Sequence, residues 1–281
     1  TKEGGAPKSA HNEFTHFPMD PTCKICIASK LQKAPRRGKA FCPFQRCDAL
    51  APAVNFGDRL TADHAIINED NKSAEDDNLV ACVILDIATQ WLQAFPCKTK
   101  SAKDTLKCFQ KFLGPDTKAK HIYTDNSKEF ATAIDEMCVS HDTCTPYSPA
   151  SNGIGERSVR RTKEGTSTSL VQCGLADKWW HKAMTCYCFL RNVHDITRNG
   201  HTAYKARFGE EFNGPILPFG CGIKFKPSSP KDIGLLPKFG DKLLDGIFVG
   251  YVQRAGGGWS GDIEVIDAID LTNAQTVDDI H

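Results

Sequence analysis

The sequence predicts an α/β protein, a mixed sheet with flanking helices, preceded by a small His/Cys segment and followed by a short β-rich block. Three observations carry that prediction. Residues 57–135 alternate strand-like runs with one amphipathic stretch, residues 155–193 hold two long runs at helical spacing, and from Pro215 short β-rich pieces are separated by Gly and Pro. At 281 residues the chain exceeds the usual single-domain size, which points to two or three units. Its 40% hydrophobic, 9% aromatic and 25% charged content excludes disordered and fibrous classes.

Residues 1–10 (TKEGGAPKSA) are rich in Gly, Pro and Lys without an apolar period and read as a disordered lead-in. Residues 11–46 are a His/Cys segment and a basic connector. His11, His16, Cys23 and Cys26 form H-x4-H-x6-C-x2-C. The Cys pair sets two thiolates on a tight turn, and two imidazoles complete a tetrahedral Zn²⁺ shell that orders a segment too small to fold alone. A structural zinc is therefore expected. Lys30, Lys33, Arg36, Arg37, Lys39 and Arg46, with Pro35 and Pro43, read as an exposed connector suited to lying along phosphates.

Residues 55–214 form the predicted core. GDRLTADHAII, LVACVILDIA and WLQAFPCK read as strands, SAKDTLKCFQKFL as a helix capped by Ser101 with Asp104 three residues on, and HIYTD as a fourth strand. Gly155 to Val171 and Ala176 to Val193 read as two long helices with Gly174 between them. In residues 215–275, FGCGIKFKP, KLLDGIFVGYV and DIEVIDAIDL read as short strands of a small barrel or sandwich. No repeat of fixed period is present.

Net charge is +1, so any contact with nucleic acid rests on local basic patches and not on a global field. The thirteen cysteines are odd in number and irregularly spaced, which favours reduced, buried thiols over a disulfide framework. The apolar run Leu79 to Leu85 ends at Asp86, far short of a membrane span, so no membrane partner is expected. No signal peptide is visible, and the chain begins at Thr1 and not at methionine. The expectation is an intracellular piece of a longer polyprotein.

Asp63 lies within one strand-like run, Asp125 at the end of another, and Glu156 at the start of a long helix. Two-metal phosphoryl chemistry needs a few carboxylates from distant chain positions converging on hard cations, and strand ends and helix starts supply that convergence. Any single acid among the 34 is ordinarily a solvated surface residue. The surrounding blocks change the odds. GDRLTADH, YTDNSKEF and TPYSPASNGIGERSVRR resemble the catalytic-site blocks of copia-type retrotransposon integrases, and LVACVILDIATQWLQAFP resembles the intervening strand pair. The resemblance covers residues 11 to about 270.

That resemblance implies a ribonuclease H-like core whose Asp63, Asp125 and Glu156 bind two Mg²⁺ or Mn²⁺ ions. It also implies an N-terminal His, His, Cys, Cys zinc module and a small Src-homology-type barrel over residues 215–275. Thirty residues separate Asp125 from Glu156, fewer than is common in the family, so the strand leading into the Pro-rich loop is expected to be short. The activity implied is 3′-end processing and strand transfer, joining element DNA to target DNA. The implied partners are double-stranded DNA and further copies of the chain, in the nucleus when the host is a eukaryote.

Two readings stand for Asn152 and Gly153: a turn with helix entry, or a mobile loop that positions DNA. On the helix, Arg160 and Lys163 share a face with Glu156, and Arg157 and Arg161 widen the positive patch. The alternatives are a salt-laced solvent face and a phosphate contact. In the terminal block, Lys224, Lys226, Lys231 and Lys238 are a modest basic set, compatible with DNA binding or with a packing module. Trp179, Trp180 and the cysteines around Tyr187 read as a core-facing helix side. The resemblance implies that Asp86 lies beside the site and outside the triad, in a supporting role; strand alternation puts His64 on the face opposite Asp63. The competing function is a catalytically decayed or host-recruited nucleic-acid-binding remnant of the same fold. A plain ribonuclease H-like nuclease is a third reading, disfavoured by the two flanking units.

Overall fold

The computed structural model describes residues 11–20, 22–29, 52–67, 73, 77–143, 153–227, 233–234, 236–240 and 242–274. The lead-in 1–10, the six connector cations from Lys30 to Arg46, Asn152 and Lys231 lie outside the described residues.

A short helix, α1 (Lys24–Ser29), precedes the sheet. Strands β1 (Leu60–Ile66), β2 (Val80–Asp86) and β3 (Leu92–Cys97) form an antiparallel meander. Helix α2 (Ala102–Leu113) then crosses to β4 (His121–Thr124), which pairs parallel to β1. A second crossover, α3 (Lys128–Glu136), leads to β5 (Ser140–Thr143), parallel to β4. The resulting five-stranded mixed sheet has the order β3-β2-β1-β4-β5. The mixed α/β core expected from the sequence is thus present. All seven residues of β2 are buried, which a strand covered on both faces requires and which its Val, Ile and Leu content supplies.

Helix α2 begins as read: the Ser101 hydroxyl accepts the Asp104 N–H and donates to the Asp104 carboxylate. Its Thr105, Cys108, Phe109, Phe112 and Leu113 lie at helical spacing against the sheet. Helix α3 was not read from sequence. Nine residues carry only Phe130, Ala133 and Ile134 inward, too short an apolar period to register. The short strand expected before the Pro-rich loop is β5, four residues long.

On the other face lie α4 (Gly153–Cys173) and, after a 3₁₀ turn over Asp177–Trp179, α5 (Trp180–His194). Gly165 lets the pair pack closely, because a Cβ there would lie 2.1 Å from the Tyr187 ring. Helix α5 is buried on two sides. Met184, Tyr187 and Cys188 meet Val83, Leu85, Leu92 and Ala94 of the sheet. Its other side, with Ala183, Cys186, Phe189, Leu190 and Val193, meets the terminal block. Asn192 hydrogen-bonds both backbone groups of Leu92, satisfying part of the exposed edge of β3. Trp179 and Trp180 are both in the core, as expected of that helix side.

After α6 (Ala203–Phe208), the terminal block contains β6 (Gly222–Phe225), β7 (Leu244–Gln253) and β8 (Trp259–Asp267) in a three-stranded antiparallel sheet. Among the described residues this sheet does not close into a barrel. The run DIEVIDAIDL is not all strand: Asp267 accepts the Ile269 N–H and caps a last helix, α7 (Ala268–Asn273). Phe248, Val249, Tyr251 and Ile266 pack the sheet onto α5. Among the described residues, no helix is long and apolar enough to cross a membrane.

Candidate active site and metal centre

Strand alternation divides the side chains of β1. Leu60 and Ala62 pack under α2 and α3, whereas Ala65 packs with Val159 of α4. His64 follows the first set, stacking on Phe130 at 4.3 Å and meeting the Thr105 hydroxyl at 3.2 Å. Asp63 follows the second and faces α4, so the two neighbours lie on opposite faces. The parallel register pairs Leu60 with Ile122 and Thr61 with Tyr123, an offset of 62. Asp125 directly follows the end of β4, and the same offset of 62 relates it to Asp63. Glu156 is in the first turn of α4, on its exposed side.

Burial raises the Asp63 carboxyl above its ordinary value, and the charges of Asp125 and Glu156 add to the rise, while the donated His64 N–H opposes it. Asp63 therefore lies within the field of the other two acids. The oxygens of all three are hard donors that fit Mg²⁺ or Mn²⁺, and a divalent cation would relieve the crowding of like charge. They are not as tightly grouped as the sulfur and nitrogen donors described below.

Asp86 is not beside this site. Asp63 pairs with Val83, so Asp86, three residues further along β2, points to the opposite face of the sheet. There its carboxylate accepts the Gly57 N–H, the Thr89 N–H and the Thr89 hydroxyl, fixing the β2–β3 turn.

Along α4, the exposed flank carries Glu156, Arg160 and Lys163. Arg160 pairs with Glu164 at 2.8 Å, and the Lys163 ammonium donates to the Ile66 carbonyl at 3.2 Å. Arg157 donates to the carbonyl of Gly153, the first residue of the helix. Arg161 departs from the expected patch. It turns toward α5, pairing with Asp195 at 2.6 Å, and its guanidinium lies 4.2 Å over the Phe17 ring. It lies on the flank away from Glu156, where the Tyr187 hydroxyl and the Asp195 carboxylate hold it.

The second centre lies at the N-terminal segment. The donor atoms of His11, His16, Cys23 and Cys26 all lie within 4.8 Å of one another. His16 Nδ1 is 3.2 Å from His11 Nε2, 3.5 Å from Cys23 Sγ and 3.8 Å from Cys26 Sγ. A tetrahedral zinc with ordinary Zn–N and Zn–S bonds has edges of roughly 3.3 to 3.8 Å. The opposite ring nitrogens face acceptors: His11 Nδ1 lies 2.8 Å from the Pro18 carbonyl, and His16 Nε2 lies 3.2 Å from Gln172 Oε1. Donation there leaves the two inward nitrogens as lone pairs facing each other, an arrangement that a cation satisfies. The Cys23 thiol is lowered, first by the Cys26 backbone N–H, which favours the thiolate that a metal needs.

This segment docks on α4 and the end of α5. Ser29 meets Thr168 at 3.0 Å, Thr15 donates to Asp195 at 2.8 Å, and Gln172 holds His16. Asp195, Phe17 and Gln172 were not singled out from sequence. Their partners lie from 34 to 180 residues away, and no local spacing announces such contacts.

No family model matches the chain. It is 26% identical over 166 residues to the Pro-Pol polyprotein of feline foamy virus, covering 57% of this chain and 14% of that protein. It is 29% identical over 147 residues to the retrovirus-related Pol polyprotein from transposon RE2 of Arabidopsis thaliana, covering 50% and 10% respectively. For the corresponding polyprotein from transposon RE1 of the same plant, the identity is 28% over 179 residues, covering 60% and 12%. Among solved structures, the catalytic core domain of BIV integrase aligns with TM-score 0.42 and 19% identity, over 54% of this chain and 95% of that one. The simian T-cell lymphotropic virus intasome in complex with PP2A regulatory subunit B56 gamma aligns with TM-score 0.45 and 17% identity, over 87% and 84%. In sequence, then, the chain is similar to the Pol polyproteins of a retrovirus and of two plant retrotransposons, spanning 10 to 14% of their length.

Proposed function

We propose that this chain is the integrase region of a copia-type retroelement polyprotein, a ribonuclease H-like polynucleotidyl transferase that processes 3′ ends and joins element DNA to target DNA. One observation carries the reading: Asp63 on β1 feels the charges of both Asp125, the residue that follows the parallel neighbour β4, and Glu156 in the first turn of α4. The sheet order, with a three-stranded meander and two parallel additions on the β1 side, supports a ribonuclease H-like core. Similarity to retroelement Pol polyproteins supports the retroelement origin.

In this reading Asp63, Asp125 and Glu156 hold two Mg²⁺ or Mn²⁺ ions. When bound, such ions lower the pKa of a coordinated water or hydroxyl and neutralise charge on a phosphoryl group. The protein's part is positional. The sheet fixes two carboxylates, α4 carries the third, and Arg160 and Lys163 line the exposed side beside Glu156 where a DNA backbone would run. His11, His16, Cys23 and Cys26 hold a structural Zn²⁺ that fastens residues 11–29 against α4. Residues 55–214 are then the catalytic unit and 215–275 a packing module on α5. Action on paired DNA ends by several copies, in a eukaryotic nucleus, belongs to the same reading.

The test is joining of a labelled element end to target DNA in Mg²⁺ or Mn²⁺, comparing the parent chain with Asp125→Asn. Product from the parent and none above background from the variant is the expected result. Equal signal from both rejects catalysis at this site, and binding of DNA without any joining assigns the chain to the decayed or host-recruited class.

A further inference from the structure

A cleft of about 740 Å³ lies on the flank of α4 opposite Glu156, between that helix, the β2–β3 turn and the end of α5. Its walls include Leu85, Leu92 and Ile154, and four arginines line it: Arg157, Arg161, Arg191 and Arg198. Among the described residues, Asp195 is the single acidic residue in the lining. That carboxylate is already occupied, by Arg161 at 2.6 Å, the Thr15 hydroxyl at 2.8 Å and the Asn12 amide at 3.3 Å.

Arg191 is only 7% exposed. Its Nη1 donates to the Gln90 carbonyl and to Asn192 Oδ1, both neutral, and its Nε has no hydrogen-bond partner among the described residues. Burial lowers it to about 10, and the nearby charge of Arg161 pushes the same way, yet it remains cationic at neutral pH. Clamping the β2–β3 turn accounts for one nitrogen of Arg191. It does not account for the excess of arginines over acids that the described residues gather on one cleft around this nearly buried guanidinium, an excess that an anion would balance.

We propose that this cleft binds a phosphoryl group, with an attached nucleoside against its aliphatic walls. Guanidinium forks match phosphate oxygens in pairs, and a multiply charged phosphate balances the excess better than one carboxylate does. The site is separate from the three acids, since Ile154, Arg157, Ser158 and Arg161 form one flank of α4 and Glu156, Arg160 and Lys163 the other. It does not depend on the integrase reading. A phosphate at the end of a polynucleotide strand and a soluble nucleotide or pyrophosphate share the required chemistry.

The experiment titrates the full chain with inorganic pyrophosphate by calorimetry, without added Mg²⁺ so that the acids do not recruit it. Labelled 5′-phosphorylated and 5′-hydroxyl oligonucleotides follow by fluorescence anisotropy. Saturable pyrophosphate binding, weakened about tenfold or more by Arg198→Ala and by Arg191→Lys but unchanged by the remote Lys107→Gln, is the expected result. Arg198 is exposed, so its variant decides the matter even where Arg191→Lys unfolds. A preference for the phosphorylated oligonucleotide over its hydroxyl twin identifies a strand end as the ligand, and equal weak binding of both beside tight pyrophosphate binding identifies the soluble class. Absence of saturable pyrophosphate binding, or equal weakening by all three variants, overturns the proposal. Joining activity lost in Asp125→Asn while pyrophosphate binding persists separates this site from the catalytic one.

Discussion

At the scale of single residues, the catalytic reading reduces to a register. Asp63 and Asp125 are 62 residues apart, and 62 is also the offset at which β1 and β4 pair. Bringing them together has an energetic consequence, because Asp63 is raised first by burial and then by its acidic neighbours. A carboxyl raised in the folded state holds its proton more tightly there than in the unfolded chain. Its charged form therefore lowers stability above the folded value, and that penalty disappears as pH falls through it. Asp63→Asn is expected to raise the melting temperature by about 2 °C at pH 7.5 without divalent metal, and to give no gain near pH 4. Paired thermal melts at the two pH values check this. A destabilised variant at pH 7.5 would contradict the crowding of the three acids.

Elements show how local sequence and close packing divide the work. Helix α2 could be placed from its cap and period alone, whereas the α4–α5 contact depends on Gly165, whose need becomes visible only when Tyr187 is set against it. Gly165→Ala would improve helix propensity but drive a methyl group into a buried ring. The expected net loss is about 2 kcal/mol, read as a melting temperature lower by roughly 4–8 °C. Helix α4 also receives the His/Cys segment through Gln172 and Thr168. Removing zinc with a chelator is expected to release residues 11–29, seen as faster amide exchange there and at the Thr15–Asp195 contact, with the central strand β2 still protected. Unchanged exchange in that segment would count against a structural metal.

For the whole molecule, α5 is the shared wall. One side completes the core over the five-stranded sheet, and the other is covered by β7 and β8, so the terminal block and the core are not energetically separate. A chain ended before Leu244 would bare Phe189, Leu190 and Val193 to water. It is expected to be recovered mainly as aggregate, or to bind a hydrophobic dye strongly, in contrast to the intact chain. A soluble, cooperatively melting truncation would show instead that residues 55–214 form an independent unit.

Sequence by itself determined the elements with strong local signals: β1 to β4, the capped α2, the two long helices, the His/Cys spacing and the blocks around Asp63, Asp125 and Glu156. Each depends on periodicity or on residues a few positions apart, which the chain displays without folding. The brief apolar periods of α3 and the late cap at Asp267 left too little pattern to read. Tertiary structure alone decided that Asp86 faces away from the acids, that Arg161 is held by Asp195, and that Arg191 lies beneath a cleft. Those outcomes follow from register and from packing between segments far apart in sequence. The direction of a side chain is set by the neighbours that surround it, and the chain brings those together only on folding.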